Sequence, residues 1–420
     1  MKRIVMIMVL LMMASTAFAQ VSLDVVWTDL TFRGGNANEA QSVAFNRNRV
    51  IAGEVFTFAA DSQVSVRGYN ANTGTLVWED TIPDGGAVHV DAAGNDAFAA
   101  VGFAVSPPVP NLLIRSYAQR TGDIQWSTML ELDFLTAFGV RGNRVLLSGR
   151  SASAGVVGSK GFIFVLDRAT GHLLQTTILE GPVGVPITES VFWDFDRSGT
   201  DLVVAGTQSR AGEGKLILRD YRVSDGQLKW ETIVPSSPTE TTIQLANGLI
   251  YVSDQFAMAA YTLRNGALAW QVTHLGTDAP VFAVTDTAVF LSFRIDNLQG
   301  NYAVERRNPF TGALVWRTLI PAISMRDQTI GGIGIVHGYL VLVGSTRSPS
   351  GGPSVDQELI VRVLDEHGTL LLEDKSDERP QAHFNDHAVS GNRIVGVGSF
   401  SEPLGGAFVR MYQLLTGIQP

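Results

Sequence analysis

Tyr69-Asn-Ala-Asn-Thr-Gly74-Thr-Leu-Val-Trp78 reads as a strand end, a turn closing on Gly, and a second strand with Trp four residues beyond that Gly. The arrangement recurs along the chain. Tyr117 to Gly122 leads to Trp126, Tyr221 to Gly226 leads to Trp230, and Tyr261 to Gly266 leads to Trp270. Leu166-Asp167-Arg-Ala-Thr-Gly171 leads to Gln175, Pro309-Phe-Thr-Gly312 to Trp316, and Leu364-Asp365-Glu-His-Gly368 to Leu372. An eighth turn is expected at Tyr412-Gln-Leu-Leu-Thr-Gly417, close to the last residue. A period of roughly 40–55 residues built from strands predicts an all-β fold, a β-propeller.

Each unit divides into four strands, A to D. In the fifth unit these are expected over 241–245, 249–253, 258–263 and 267–272, with Asn247-Gly248 in the A–B turn. Further B strands are expected at 49–53, 97–102, 144–149, 202–206, 288–293, 339–344 and 393–398. Asn-Gly, Gly-Asn and Ser-Gly pairs in the A–B turns are hairpin chemistry. Eight B and eight C strands are then followed by only seven D strands. The missing one is supplied at the other end, where Leu23-Asp-Val-Val-Trp27-Thr-Asp-Leu carries Trp27 in the repeat position. The sequence therefore predicts eight four-stranded antiparallel blades, the circle closed by the N-terminal strand. Seven blades would follow if the last unit were not a blade. Six of the seven Trp residues share the one position, which suits a wedge between neighbouring blades rather than a ligand site. The hairpin Gly residues are expected at positive φ.

Residues 1–19 read as a signal peptide: Lys2 and Arg3, an apolar stretch from Ile4 to Ala14, and Ala17-Phe18-Ala19 before Gln20. Residues 20–420 then form a single propeller domain, and no later stretch approaches about 20 apolar residues. The protein is expected in the periplasm or secreted. The absence of Cys excludes a lipobox, covalent haem attachment and disulfides. Loss of Lys2 and Arg3 moves the formal net charge from −9 to −11, which argues against a nucleic-acid partner and against a polybasic membrane contact.

The repeats resemble the pyrroloquinoline-quinone-type propeller superfamily, whose pattern is Ala-x-Asp-x-x-Thr-Gly-x-x-x-Trp. Val165 to Gln175 and Arg306 to Trp316 keep parts of it, and Ala260 to Trp270 keeps the Ala, Gly and Trp. Asn70, Ala118, Arg222 and Thr262 replace the Asp. The resemblance implies one of two branches. Quinone-dependent dehydrogenases hold the quinone and Ca²⁺ near the axis, and many carry a vicinal Cys pair, which this chain cannot supply. Non-enzymatic exported propellers include an eight-bladed lipoprotein of outer-membrane-protein assembly, whose lipidated Cys this chain also lacks.

Two clusters are candidate sites. Asp194, Asp196, Ser198 and Asp201 alternate around Gly199 as in a short Ca²⁺ loop, although no acid stands at the twelfth position. The same residues are good turn formers, and an A–B hairpin is due there. His383, Asp386 and His387 form the densest metal-capable group and lead into the innermost strand of the last blade, near the axis. On a regular strand a spacing of four separates two His by about 13 Å on one face, which suits solvated side chains better than a shared metal. Loop length adds a third signal. The long loops are B–C connections: 106–110, 151–161, 209–214, 294–301, 346–357 and 401–406. They gather on the face shared with the D–A loops, a usual binding arrangement on a rigid scaffold. The expected function is that of a non-enzymatic, monomeric binding or scaffold protein. It engages a protein or glycan partner through the B–C/D–A face, with no cofactor expected and Ca²⁺ as the alternative use of the 194–201 turn. The alternative is a quinone-dependent dehydrogenase, or another enzyme with an axial site.

Overall fold

A computed structural model describes residues 19–33, 37–58, 61–103, 112–152, 159–179, 189–210, 213–234, 241–254, 257–273, 280–295, 301–321, 327–347, 359–376, 382–400 and 406–418. Residues 1–18 of the expected signal segment 1–19 lie outside this set, as does most of each long B–C loop except 209–214, of which only residues 211 and 212 do. All described regular structure is β. Eight antiparallel four-stranded blades follow one another around a ring, and a single bridge between Ser159 and Glu189 touches blades three and four together.

The last blade is assembled from both chain ends. Its order is Ala19–Thr31, Gly406–Ile418, Arg393–Phe400, Ala382–Ser390, so the N-terminal strand is its D strand. Pairing runs from Ala19 opposite Ile418 to Thr31 opposite Ala407. Here the expected eighth turn is corrected. Gly417 lies inside the C strand, opposite Gln20, because the N-terminal strand pairs with this strand along its length. Strand ends elsewhere fall within a few residues of expectation. The B and C strands of blade three reach further than expected into the 151–161 loop, through the pairs Ser151–Lys160 and Ala152–Ser159.

The core is a ring of interblade contacts. One apolar cluster packs Ile51, Val64 and Trp78 of blade one against Val88, Val101 and Tyr117 of blade two, and each further pair of neighbours shares a comparable cluster. B and C strands are covered on both faces, and Leu359–Leu364 is buried at every position. D strands close the blade edge and alternate, as in Leu268–Thr273, where Trp270 alone is buried.

The Trp residues bind the ring together. The indole N–H donates to a carbonyl in the next blade's C–D turn: Trp27 to Ala71 at 3.0 Å, Trp78 to Gln119 at 3.0 Å and Trp126 to Arg168 at 2.9 Å. Trp230, Trp270 and Trp316 repeat this with Leu263, Pro309 and Glu366. The hairpin Gly under each ring sits at φ between 66° and 84°, and a Cβ there would enter the indole at Gly74, Gly122, Gly171, Gly266, Gly312 and Gly368. Gly is thus required twice over at this position. Two residues beyond the Trp, Thr128, Thr232 and Thr318 donate to the carbonyl of the same Gly at 2.7, 2.9 and 2.6 Å.

Candidate functional site

The eight A strands line the axis. As the inner edges of their blades they present main-chain N–H groups without ladder partners, and such groups need acceptors. Side chains of the preceding blade supply them. Asp91 Oδ2 accepts from Val140 N at 2.7 Å, Asp196 Oδ2 from Leu245 N at 2.7 Å, and Asp386 Oδ2 from Val43 N at 2.8 Å. Gln41 and Gln244 do the same for Val88 and Val284 at 3.0 and 3.1 Å. Six A strands also carry a bulge at one level, for example between Ala40 and Ser42 and between Phe384 and Asp386. A bulge breaks the two-residue alternation and re-aims the side chain beside it.

Inside this lining is a cavity of about 410 Å³ whose walls include Arg141, Asp196, Gln244, Phe282, Gly331 and His387. Arg141 spans two carboxylates, 3.5 Å from Asp91 and 3.7 Å from Asp196. Burial pushes the Asp91 carboxyl up, against the hydrogen bonds from Val140 and Ala92 and the charge of Arg141. Burial likewise raises Asp386, opposed by the amides of Val43 and His387 and by Ser42. The imidazole of His89, on the A strand of blade two, is pushed down by burial.

The candidate residues separate in this frame. His383, Asp386 and His387 all lie within the A strand Ala382–Ser390. The bulge between Phe384 and Asp386 breaks the regular strand on which the same-face spacing of His383 and His387 was reckoned. The side chain of His383 is outside the described part of the structure. Asp386 turns to blade one, while His387 packs on blade seven, where a side chain on Gly332 would collide with its ring. Asp194 and Ser198 pair with Ala205 and Asp201 in the A–B hairpin of blade four, their side chains again outside the described part. Gly199 takes φ 59° in that turn. Asp196 faces blade five, whereas Asp201 accepts from Lys229 at 2.6 Å within its own blade, so the hairpin does not converge these two carboxylates. Among the described residues no group of three or more His, Asp or Glu is placed to hold a metal ion. Sequence reasoning missed Gln41, Ser42 and Gln244. Their signal was a polar residue on the inner strand of an otherwise apolar repeat.

Ring, hairpin and Trp position together define an eight-bladed propeller of the pyrroloquinoline-quinone-like superfamily. The family described as outer membrane protein assembly factor BamB matches residues 62–292, more than half of the chain, and the protein belongs to that family. No curated protein sequence matches it. Among solved structures, BamB from Moraxella catarrhalis aligns with a TM-score of 0.56 at 14% identity, over 93% of this chain and 100% of that one. A europium-containing methanol dehydrogenase aligns with a TM-score of 0.61 at 9% identity, over 93% of each chain. The quinohemoprotein alcohol dehydrogenase from Comamonas testosteroni aligns at 0.58 and 10% identity, over 93% of this chain and 76% of that one. These likenesses establish a shared fold.

Proposed function

We propose that the protein is an exported, non-enzymatic propeller that acts as a binding scaffold for a protein partner in outer-membrane protein assembly. The observation that carries this reading is the family match over residues 62–292. The axis is consistent with it, because the carboxylates of Asp91, Asp196 and Asp386 are each occupied in tying one blade to the next. Export rests on the signal-like segment 1–19, with cleavage before Gln20. That residue is the second of the closing strand, opposite Gly417. The partner is proposed to meet the B–C/D–A end of the ring, where variable loops sit on a rigid frame.

The test is cross-linking of the mature protein in an envelope fraction, followed by identification of what it captures. Specific capture of an outer-membrane protein or an assembly component supports the proposal. Oxidation of alcohols or sugars in a dye-linked assay with added pyrroloquinoline quinone and Ca²⁺, with no specific protein captured, would replace it by the dehydrogenase reading.

A further inference from the structure

A second concave site lies at the opposite end of the ring, among the tight turns. The A–B turns of blades one and two and the C–D turn of blade two enclose a cleft of about 550 Å³. Arg47, Arg49 and Arg120 line it. Their hydrogen bonds go to neutral groups: Arg47 to the Asn95 side-chain carbonyl at 3.3 Å, and Arg49 to the Asn48 carbonyl at 3.5 Å. Arg120 is exposed and has no partner among the described residues. Arg49 Nε is buried and without an acceptor. The carboxylates in the same cleft are already engaged. Asp96 accepts from Arg168 at 2.8 Å and Gln125 at 3.3 Å, and Asp123 accepts from Thr121 at 2.6 Å.

The backbone supplies an independent observation. Arg47 stands at the first turn position with φ 56°. Four sister turns place Gly there, Gly94 at 61°, Gly142 at 62°, Gly199 at 59° and Gly391 at 61°, and two place Asn247 at 56° and His337 at 48°, residue types that tolerate this region better than Arg does. A long side chain with a Cβ is strained in this region, and strain is held where the side chain has a use. Here it sets a third guanidinium on the cleft.

We propose that this cleft is a docking site for an acidic peptide segment. Guanidinium groups recognise carboxylates through paired hydrogen bonds. Asn48, Asn95, Gln119 and Gln125 surround them with amides suited to a peptide main chain. Asp96 and Asp123 disfavour a compact polyanion such as phosphate, while carboxylates spaced along a chain can reach the guanidiniums and avoid them. The protein's net charge of −9 repels an acidic peptide over most of its surface, so binding calls for a local site of this kind. The site stands apart from the rim proposed above, on the other face.

The test uses a fluorescent oligoglutamate peptide, with oligoglutamine and inorganic phosphate as comparison probes. Saturable binding of oligoglutamate at low salt, weakening as salt rises, is expected. Arg49→Gln with Arg120→Gln should reduce affinity about tenfold or more. Arg47→Gly should also weaken binding, yet melt at or above the parent temperature, because it relieves the turn. A purely structural Arg47 would give a lower melting temperature with binding retained, which overturns the proposal. So would no binding of oligoglutamate, equal binding by the variants, or saturable binding of phosphate alone.

Discussion

Asp386 and Ser42 are 344 positions apart in sequence, yet the Ser42 hydroxyl donates to Asp386 Oδ2 at 3.2 Å and itself accepts from Val90 N at 3.2 Å. One carboxylate and one hydroxyl thus link blades eight, one and two along the inner wall. Asp386→Ala leaves Val43 N without its acceptor and should destabilise the ring by about 1–3 kcal/mol. Asp386→Asn keeps an acceptor oxygen and should lose less. Urea unfolding of both variants checks the order, and equal stability of the three proteins would remove the linking role.

Trp27 is the outer counterpart of that link. It bonds Ala71, stacks on Tyr69 at 5.7 Å between ring centres, and joins the cluster between blades eight and one. Trp27→Ala should cost about 3–5 kcal/mol. Deleting residues 20–32 should do more, since the C strand of blade eight becomes an open edge. Thermal melting reads both, and unchanged melting of the deletion would place ring closure elsewhere.

The interface between blades three and four lacks the indole. Gln175 lies over Gly226 instead, its amide bonded to Thr177 at 2.8 Å. Gln175→Trp restores the repeat, with the Val223 carbonyl in the position that accepts elsewhere. It should raise stability by about 1 kcal/mol, measured by urea unfolding. A destabilised variant would mean that this interface has closed around the smaller side chain.

Glu54 is buried beside Arg67 at 3.3 Å, within a group that also holds Tyr69, Asp29 and Glu79. Burial pushes its carboxyl from 4.5 up to about 7, with Arg67 pulling the other way. The folded protein therefore holds a proton between those values that the unfolded chain has released. This contribution is fully present below about pH 4.5 and is lost as pH rises through about 7, amounting to about 3 kcal/mol at most. Glu54→Gln should flatten stability against pH in that window. A parallel profile for parent and variant would assign the pH dependence to other groups.

The loop rim can be tested without touching the blades. Residues 153–158 connect Ala152 to Ser159, which pair as the last rungs of a hairpin. Residues 348–358 connect Arg347 to Leu359. Asn-Gly turns in both places should leave the melting temperature nearly unchanged, because loop closure depends weakly on length. Capture of the envelope partner should fall. Undiminished capture by the doubly shortened protein would move the partner site off these loops.

The propeller, its blade count and its closing strand were legible because each rests on local chemistry that repeats. A left-handed Gly, an apolar period of two and a Trp at fixed distance each act within one hairpin, and Trp27 betrayed the displaced strand by keeping that distance. The uses of Asp386 and Asp196 were not legible. As residue types they read as metal ligands, and their actual partners, Val43 and Leu245, belong to other blades. Gly417 misled for a related reason, since its strand partner, Gln20, lies at the far end of the chain. Sequence alone determined the repeat and the order of its parts. The tertiary structure decided which inner-strand N–H meets which side chain, because bulges re-aim those side chains and ring closure brings residues hundreds of positions apart within 3.2 Å.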